Sequence, residues 1–166
     1  NFMRPPQGLV MGYERRLDLK RAVLRREVLF RAESGAIVRI VFERFASLHN
    51  QHLMVQRVQI VAVEGSPTIQ IESGIDDDVT NAGIEHWLKE RKTYSDDQEL
   101  GVEVTTEQSG YVVGMAQRWV SPYEVHAHDL RITTNEFILQ PEESMTFDKF
   151  TGVFTSRDVA KPFDAA

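Results

Sequence analysis

The nine residues Ile37-Val38-Arg39-Ile40-Val41-Phe42-Glu43-Arg44-Phe45 decide the fold. Side chains alternate between the two sides of a strand, so Val38, Ile40 and Phe42 share one face and Ile37, Val41 and Phe45 share the other. The first row is assigned to a sandwich interior. The second is expected to face outward as an apolar surface that favours self-association, unless one large sandwich buries both rows. Outward from this stretch, the same pattern recurs in Leu53–Val63, in Leu100–Thr105 and in the run carrying Tyr111, Val113, Met115 and Trp119. Thr68–Glu72 lies between Ser66-Pro67 and Ser73-Gly74, and Leu130–Leu139 and Met145–Phe154 complete the set. Short strands separated by turn signals define an all-β chain, a large antiparallel sandwich or a barrel. One helical signal stands apart: Ile84, Trp87 and Leu88 at spacings of three and four, with Asn81 available as a cap. It predicts a short helix or a structured loop over 82–92, and at most one short helix in the fold. No internal repeat is visible, which argues against propellers and solenoids.

With 166 residues, the chain is read as one domain, 1–166. It contains no cysteine, which removes a disulfide scaffold, a thiolate metal site and a cysteine nucleophile together. No apolar run approaches the ~20 residues of a membrane-spanning helix and no export signal opens the sequence, so a cytoplasmic setting is expected. Asn1-Phe2-Met3-Arg4-Pro5-Pro6 reads like the interior of a longer chain. Charge is unevenly distributed. Glu14–Arg31 holds seven Lys/Arg against three Asp/Glu, while Glu64–Glu107 holds twelve acids against three bases. The basic stretch interleaves Arg15, Arg16, Arg25 and Arg26 with acids and has few aromatics, so nucleic acid is not the expected partner. A basic edge facing acidic neighbours within the same protein is the better account.

Few residues form a recognisable chemical motif. His126-Ala127-His128 places two imidazoles on one strand face, a geometry that cupin metal sites use. Cupins also need a glycine shortly before the pair and a glutamate soon after it. Here the nearest preceding glycine is Gly114, and the acids that follow are Asp129 and Glu136. Ligand count and spacing therefore favour two half-exposed strand histidines over a metal site. His49 and His52 lie between strong strands and read as a turn. Asp76-Asp77-Asp78 lacks the alternating acids of a calcium loop and also reads as a turn. No nucleophile elbow, phosphate loop or dinucleotide fingerprint is present, and no carboxylate pair stands out by its spacing.

Four blocks, in order, resemble the N-terminal domain of glycoside hydrolase family 65, the maltose, trehalose, kojibiose and nigerose phosphorylases. Leu17-Asp18-Leu19-Lys20-Arg21-Ala22-Val23-Leu24-Arg25-Arg26-Glu27-Val28 is similar to that domain's D-[ML]-x-x-G-x-L-x-R-E opening. Glu43-Arg44-Phe45-Ala46-Ser47-Leu48-His49-Asn50-Gln51-His52-Leu53 resembles its E-R-F-x-S-L-x-x-x-H-L segment. Ser73-Gly74-Ile75-Asp76-Asp77-Asp78-Val79-Thr80-Asn81 looks like S-G-[IL]-D-G-x-V-x-N, and Phe154-Thr155-Ser156-Arg157-Asp158 looks like [YF]-T-S-R-D. Ala22 and Asp77 stand where the family often has glycine, which bears on two turns.

The resemblance implies a large β-sandwich of the super-sandwich, galactose-mutarotase-like type. It also implies a parent enzyme that cleaves an α-glucosyl disaccharide with inorganic phosphate as co-substrate and no other cofactor. The catalytic groups of that parent would lie in a separate (α/α)6 barrel, so no residue here takes a catalytic role. The implied partners are that barrel, the disaccharide at its active site and a second subunit in a homodimer, without nucleic acid or membrane. The segment Asp76–Ser95 is then expected to reach the edge of the sugar pocket through Asn81, His86 and Trp87, an indole face being suited to a sugar's C–H surface. The competing reading is that Trp87 only anchors this loop on the sandwich. Two other functions stay open: an independent carbohydrate-binding β-sandwich, and a cupin-like metalloprotein using His126 and His128.

Overall fold

The computed structural model describes residues 8–76, 79–88 and 90–166, with the side chain of Asn81 also left undescribed. The strands are β1 (Gly8–Asp18), β2 (Val23–Ala32), β3 (Ile37–Ala46), β4 (Leu53–Glu64), β5 (Thr68–Ile69), β6 (Glu72–Gly74), β7 (Thr80–Asn81) and β8 (Ile84–Glu85). They continue with β9 (Lys92–Asp96), β10 (Glu99–Thr105), β11 (Val112–Val120), β12 (Val125–His128), β13 (Arg131–Thr134), β14 (Phe137–Ile138) and β15 (Ser144–Thr155). The described helix is α1, Pro162–Ala165. Eight strands form one antiparallel sheet in the order β1-β2-β3-β4-β15-β11-β10-β9. Two small sheets, β12-β13-β6 and β14-β5, make the second layer.

The core lies between these layers. Val38, Ile60, Ala62, Met145, Phe147, Trp119 and Leu100 come from the large sheet; Val125, Ile132 and Phe137 come from the small ones, and Leu139 follows β14 directly. Tyr123 stacks on Phe137 with ring centroids 4.1 Å apart. This is the antiparallel sandwich expected from the period-two runs. The alternation of Val38 and Ile40 toward the core holds. Phe42, farther along, lies beneath the Arg26 guanidinium at 4.2 Å.

The second row of β3 departs from the expectation of an exposed apolar face. Ile37 and Val41 are buried, and only Phe45, at the strand's far end, is exposed. The register explains the difference: Val41 sits between Glu27 of β2 and Gln59 of β4, and its diagonal neighbours Leu29 and Val61 share that face. In the centre of a wide sheet, long side chains on both flanks cover a β-branched residue without a further layer.

Of the two readings of 82–92, a short helix or a structured loop, the described residues show the second. Ala82 and Gly83 both take positive φ, 51° and 81°, and join β7 to β8 as a hairpin in which Asn81 pairs with Ile84. Two consecutive left-handed residues make the tight turn whose twist suits a hairpin. The spacing of Ile84, Trp87 and Leu88 therefore does not reflect a helical face.

Candidate functional site

Three places carry chemistry-bearing side chains. The first is the Asp76–Ser95 segment. Glu107 N–H donates to His86 O at 2.9 Å, and Leu88 N–H donates to Thr105 O at 2.8 Å, so residues 86–88 lie as a ribbon along the end of β10. Trp87 bridges Thr106 and packs half-buried against Val102, Val104 and Leu130. That contact is the anchoring role weighed against a sugar-facing one. His86 is exposed, as are Ile84 and Leu88, so the hairpin tip presents a mixed polar and apolar surface. Asn81 lies on β7, and its side chain is outside the described residues, as are Asp77 and Asp78.

The second place is β12. His126 and His128 are both exposed and pair with Thr133 and Arg131, while Val125 and Ala127 point to the core. Among the described residues, no cluster of three or more His, Cys, Asp or Glu side chains could hold a metal. The turn expected around His49 forms: Asn50 N–H donates to Ser47 Oγ at 2.9 Å, and His52 N–H donates to Asn50 Oδ1 at 3.1 Å.

The third place was not singled out from the sequence. On the outer face of the large sheet, a cavity of about 450 Å³ is lined by His52, Tyr94, Arg118, Phe150, Phe154 and Phe163, with Gly101, Ala116 and Gly152 as its floor. The floor is one register row, since Ala116 pairs with Gly101 on one side and with Gly152 on the other. The α1 segment straps across it. A Cβ on Gly101 would meet the Phe163 ring at 3.2 Å, and one on Gly152 would meet Ala166 O at 2.6 Å. His52 stacks on Phe154 with centroids 4.0 Å apart, its Nδ1 2.9 Å from Val153 O. The signal available beforehand was glycine inside strand patterns, which marks a close backbone approach.

Electrostatics divide the large sheet by face. Following the register, Glu14, Asp18, Glu27, Glu43, Glu64, Asp96, Glu99, Glu103 and Asp148 all fall on the outer face. There they meet cations across strands. Arg25 bonds Glu43 at 3.0 Å and Glu27 at 2.8 Å, Arg57 holds Asp148 bidentately at 2.7 and 2.8 Å, and Lys92 bonds Glu103 at 2.7 Å. The hydrogen bonds from Arg57 pull the Asp148 carboxyl below its ordinary range, and Glu27 foremost raises Arg25. Within the basic stretch Arg21 and Arg25 meet acids of their own protein, as read from the sequence, whereas Arg15 and Arg16 make no ion pair among the described residues. Exposed pairs of this kind contribute little to stability. The inner face carries Lys149, half-buried, whose Nζ donates to Ser73 Oγ at 3.2 Å. Burial pushes this lysine down.

The described residues form a two-layer antiparallel β-sandwich domain. The family follows from comparison. The model of the glycosyl hydrolase family 65 N-terminal domain matches residues 2–166, and the chain belongs to that family. It is 30% identical to a kojibiose phosphorylase of Halothermothrix orenii over 163 residues, covering 92% of this chain and 21% of that protein. An alpha,alpha-trehalose phosphorylase of Thermoanaerobacter brockii is 33% identical over 75 residues, 45% of this chain and 10% of that one. In three dimensions, a solved structure described as a kojibiose phosphorylase from the human microbiome superposes with a TM-score of 0.80 at 14% identity. It covers 96% of this chain and 21% of that chain, and it supports the fold alone. The chain spans about a fifth of the length of the kojibiose phosphorylases it matches.

Proposed function

We propose that this chain serves as the non-catalytic N-terminal domain of a phosphorylase that cleaves an α-glucosyl disaccharide of the kojibiose, trehalose or maltose type. The observation that supports it is coverage: nearly the whole chain aligns with about a fifth of a kojibiose phosphorylase. In this reading the chemistry, with inorganic phosphate as co-substrate, belongs to a separate helical barrel. The sandwich supports that barrel, takes part in a cytoplasmic homodimer and borders the sugar pocket with Asn81, His86 and Trp87. The exposed hairpin tip beside His86 gives that border a surface, and Trp87 gives it a fixed base.

The test has two arms. The purified chain, incubated with kojibiose, trehalose or maltose and inorganic phosphate, is expected to release no glucose 1-phosphate; release would refute the non-catalytic assignment. In the full-length parent, His86→Ala is expected to raise KM for the disaccharide while leaving kcat near its original value. Unchanged KM would remove the pocket-border role and leave the 76–95 segment as packing alone.

A further inference from the structure

Among the described residues β1 is the edge of the large sheet, an eleven-residue strand paired on one side with β2. Natural proteins protect such edges with proline, short length or inward charge. The opposite edge, β9, is protected: it has five residues, and its Lys92 is tied to Glu103. β1 carries one irregularity, between Val10 and Gly12, and one charge on the inner face, Arg15, and otherwise runs regularly to Asp18. Tyr13 and Leu17 on this run are 61% and 59% exposed.

The charges of β1 do not suit the strand it pairs with. Glu14 lies opposite Glu27, Arg15 opposite Arg26 and Arg16 opposite Arg25. Like charges directly opposite one another destabilise a sheet. Arg25 and Glu27 find their partners in Glu43, Arg39 and each other. Among the described residues Glu14, Arg15 and Arg16 make no ion pair. Three charged residues therefore oppose their own neighbour and find no match within the described sheet.

We propose that the free edge of β1 pairs antiparallel with β1 of a second copy, about a two-fold axis through Arg15, which joins two sheets into one. This rests on the homodimer in the proposed function and names its interface. A two-fold axis perpendicular to the sheet keeps each face continuous, so opposite residues must share a face and their numbers must sum to an even value. The regular run Gly12–Asp18 is centred on Arg15. In that register Glu14 meets the partner's Arg16 twice on the outer face, and Tyr13 meets the partner's Leu17 twice on the inner face. Arg15 meets its own copy, where long exposed side chains can diverge. Moving the register by one step in either direction is worse. One shift sets Glu14 against its own copy and brings in the irregularity at Val10; the other sets Glu14 against Asp18 and Arg16 against its copy. Charge complementarity therefore selects one alignment.

The decisive experiment is a charge swap, read by sedimentation equilibrium of this chain across a concentration series. Wild type is expected to dimerise. Glu14→Arg and Arg16→Glu each turn two attractive pairs into two repulsive ones, and each is expected to weaken the dimer about tenfold, near 1.4 kcal/mol for the two sites together. The double variant restores both attractions and is expected to return to within about threefold of wild type. Both single changes remove a like-charge pair with β2, so thermal midpoints should hold or rise, which separates lost pairing from lost folding. Phe45→Glu, on another strand, should leave the dimer intact. The proposal is overturned by a monomer at every concentration, by single variants as tight as wild type, by a double variant no tighter than the singles, or by dissociation on Phe45→Glu alone. None of these outcomes alters the glucose 1-phosphate assay, so the two readings fail separately.

Discussion

Gly114→Ala should detach the strap that closes the outer face. A Cβ at position 114 would stand against Pro162 C and 2.5 Å from both Pro162 O and Phe163 N. These are backbone atoms on both sides, so no rotamer relieves the clash and α1 must lift. Lifting removes buried Pro162 from the sheet and the half-buried Phe163 ring from Gly101. At roughly 25 cal/mol per Å² of apolar surface, the two groups together contribute about 2–3 kcal/mol, which also caps the loss because the strap can then detach altogether. Two other glycines calibrate the measurement. Gly83 has φ +81° with open space around it, so Gly83→Ala carries backbone strain alone, about 1 kcal/mol. At Gly12 a Cβ meets Leu29 Cβ at an ordinary 3.5 Å, and Gly12→Ala should change stability by under about 0.5 kcal/mol. Urea unfolding followed by tryptophan emission gives all three, with buried Trp119 as the reporter. If Gly114→Ala matches Gly12→Ala, the strap does not sit on Gly114 and the reasoning is refuted.

Two further outcomes test the local physics. Ala22 closes the β1–β2 turn with φ 54°, so Ala22→Gly should stabilise the fold by about 0.5–1 kcal/mol in the same urea assay; destabilisation would show that the turn is not left-handed there. Lys149 binds its proton less tightly when folded than when unfolded, because burial lowers its pKa. Between the folded value and the ordinary lysine range the unfolded state therefore holds more protons, and stability should rise with pH across that window. Lys149→Met should flatten the rise and be more stable than wild type at neutral pH; an unchanged slope would mean that Lys149 is solvated.

The strands that form the core were legible because burial imposes a strict period. Val38, Ile60, Leu100, Trp119, Met145 and Phe147 all sit in runs read as strands. β1 and β2 were matched to a family block but not read as strands. β1, at the edge, buries little, and the charged runs Glu14–Arg16 and Arg25–Glu27 interrupt the hydrophobic period of both strands. Thr68–Glu72 and Leu130–Leu139 each proved to be interrupted, since the small layer is built from two- to four-residue strands too short for a pattern to bound. At 82–92 the loop reading held and the helical one failed, because Ile84 and Leu88 are exposed and Trp87 alone of the three reaches the sandwich, so their spacing carried no packing information. The outer-face cavity was not recognised because its floor joins the β10–β11 hairpin to β15, remote in sequence, and Gly101 and Gly152 were its one trace.

The position of β15 also sets the order in which the chain can fold. This strand is the last in sequence, yet it lies between β4 and β11, in the middle of the large sheet. Until it is made, β1–β4 and β9–β11 are two half-sheets with unpaired inner edges, and Met145 and Phe147 are missing from between the layers. Its pairing with β4 joins residues about ninety positions apart, an entropic closure that comes late and is slow. During synthesis the earlier strands therefore emerge with two open edges, and the nascent chain depends on its final twelve-residue strand to seal them. Slow translation ahead of Ser144 would prolong that exposure, making the stretch before β15, rather than the hydrophobic core itself, the point at which misassembly of this domain is decided.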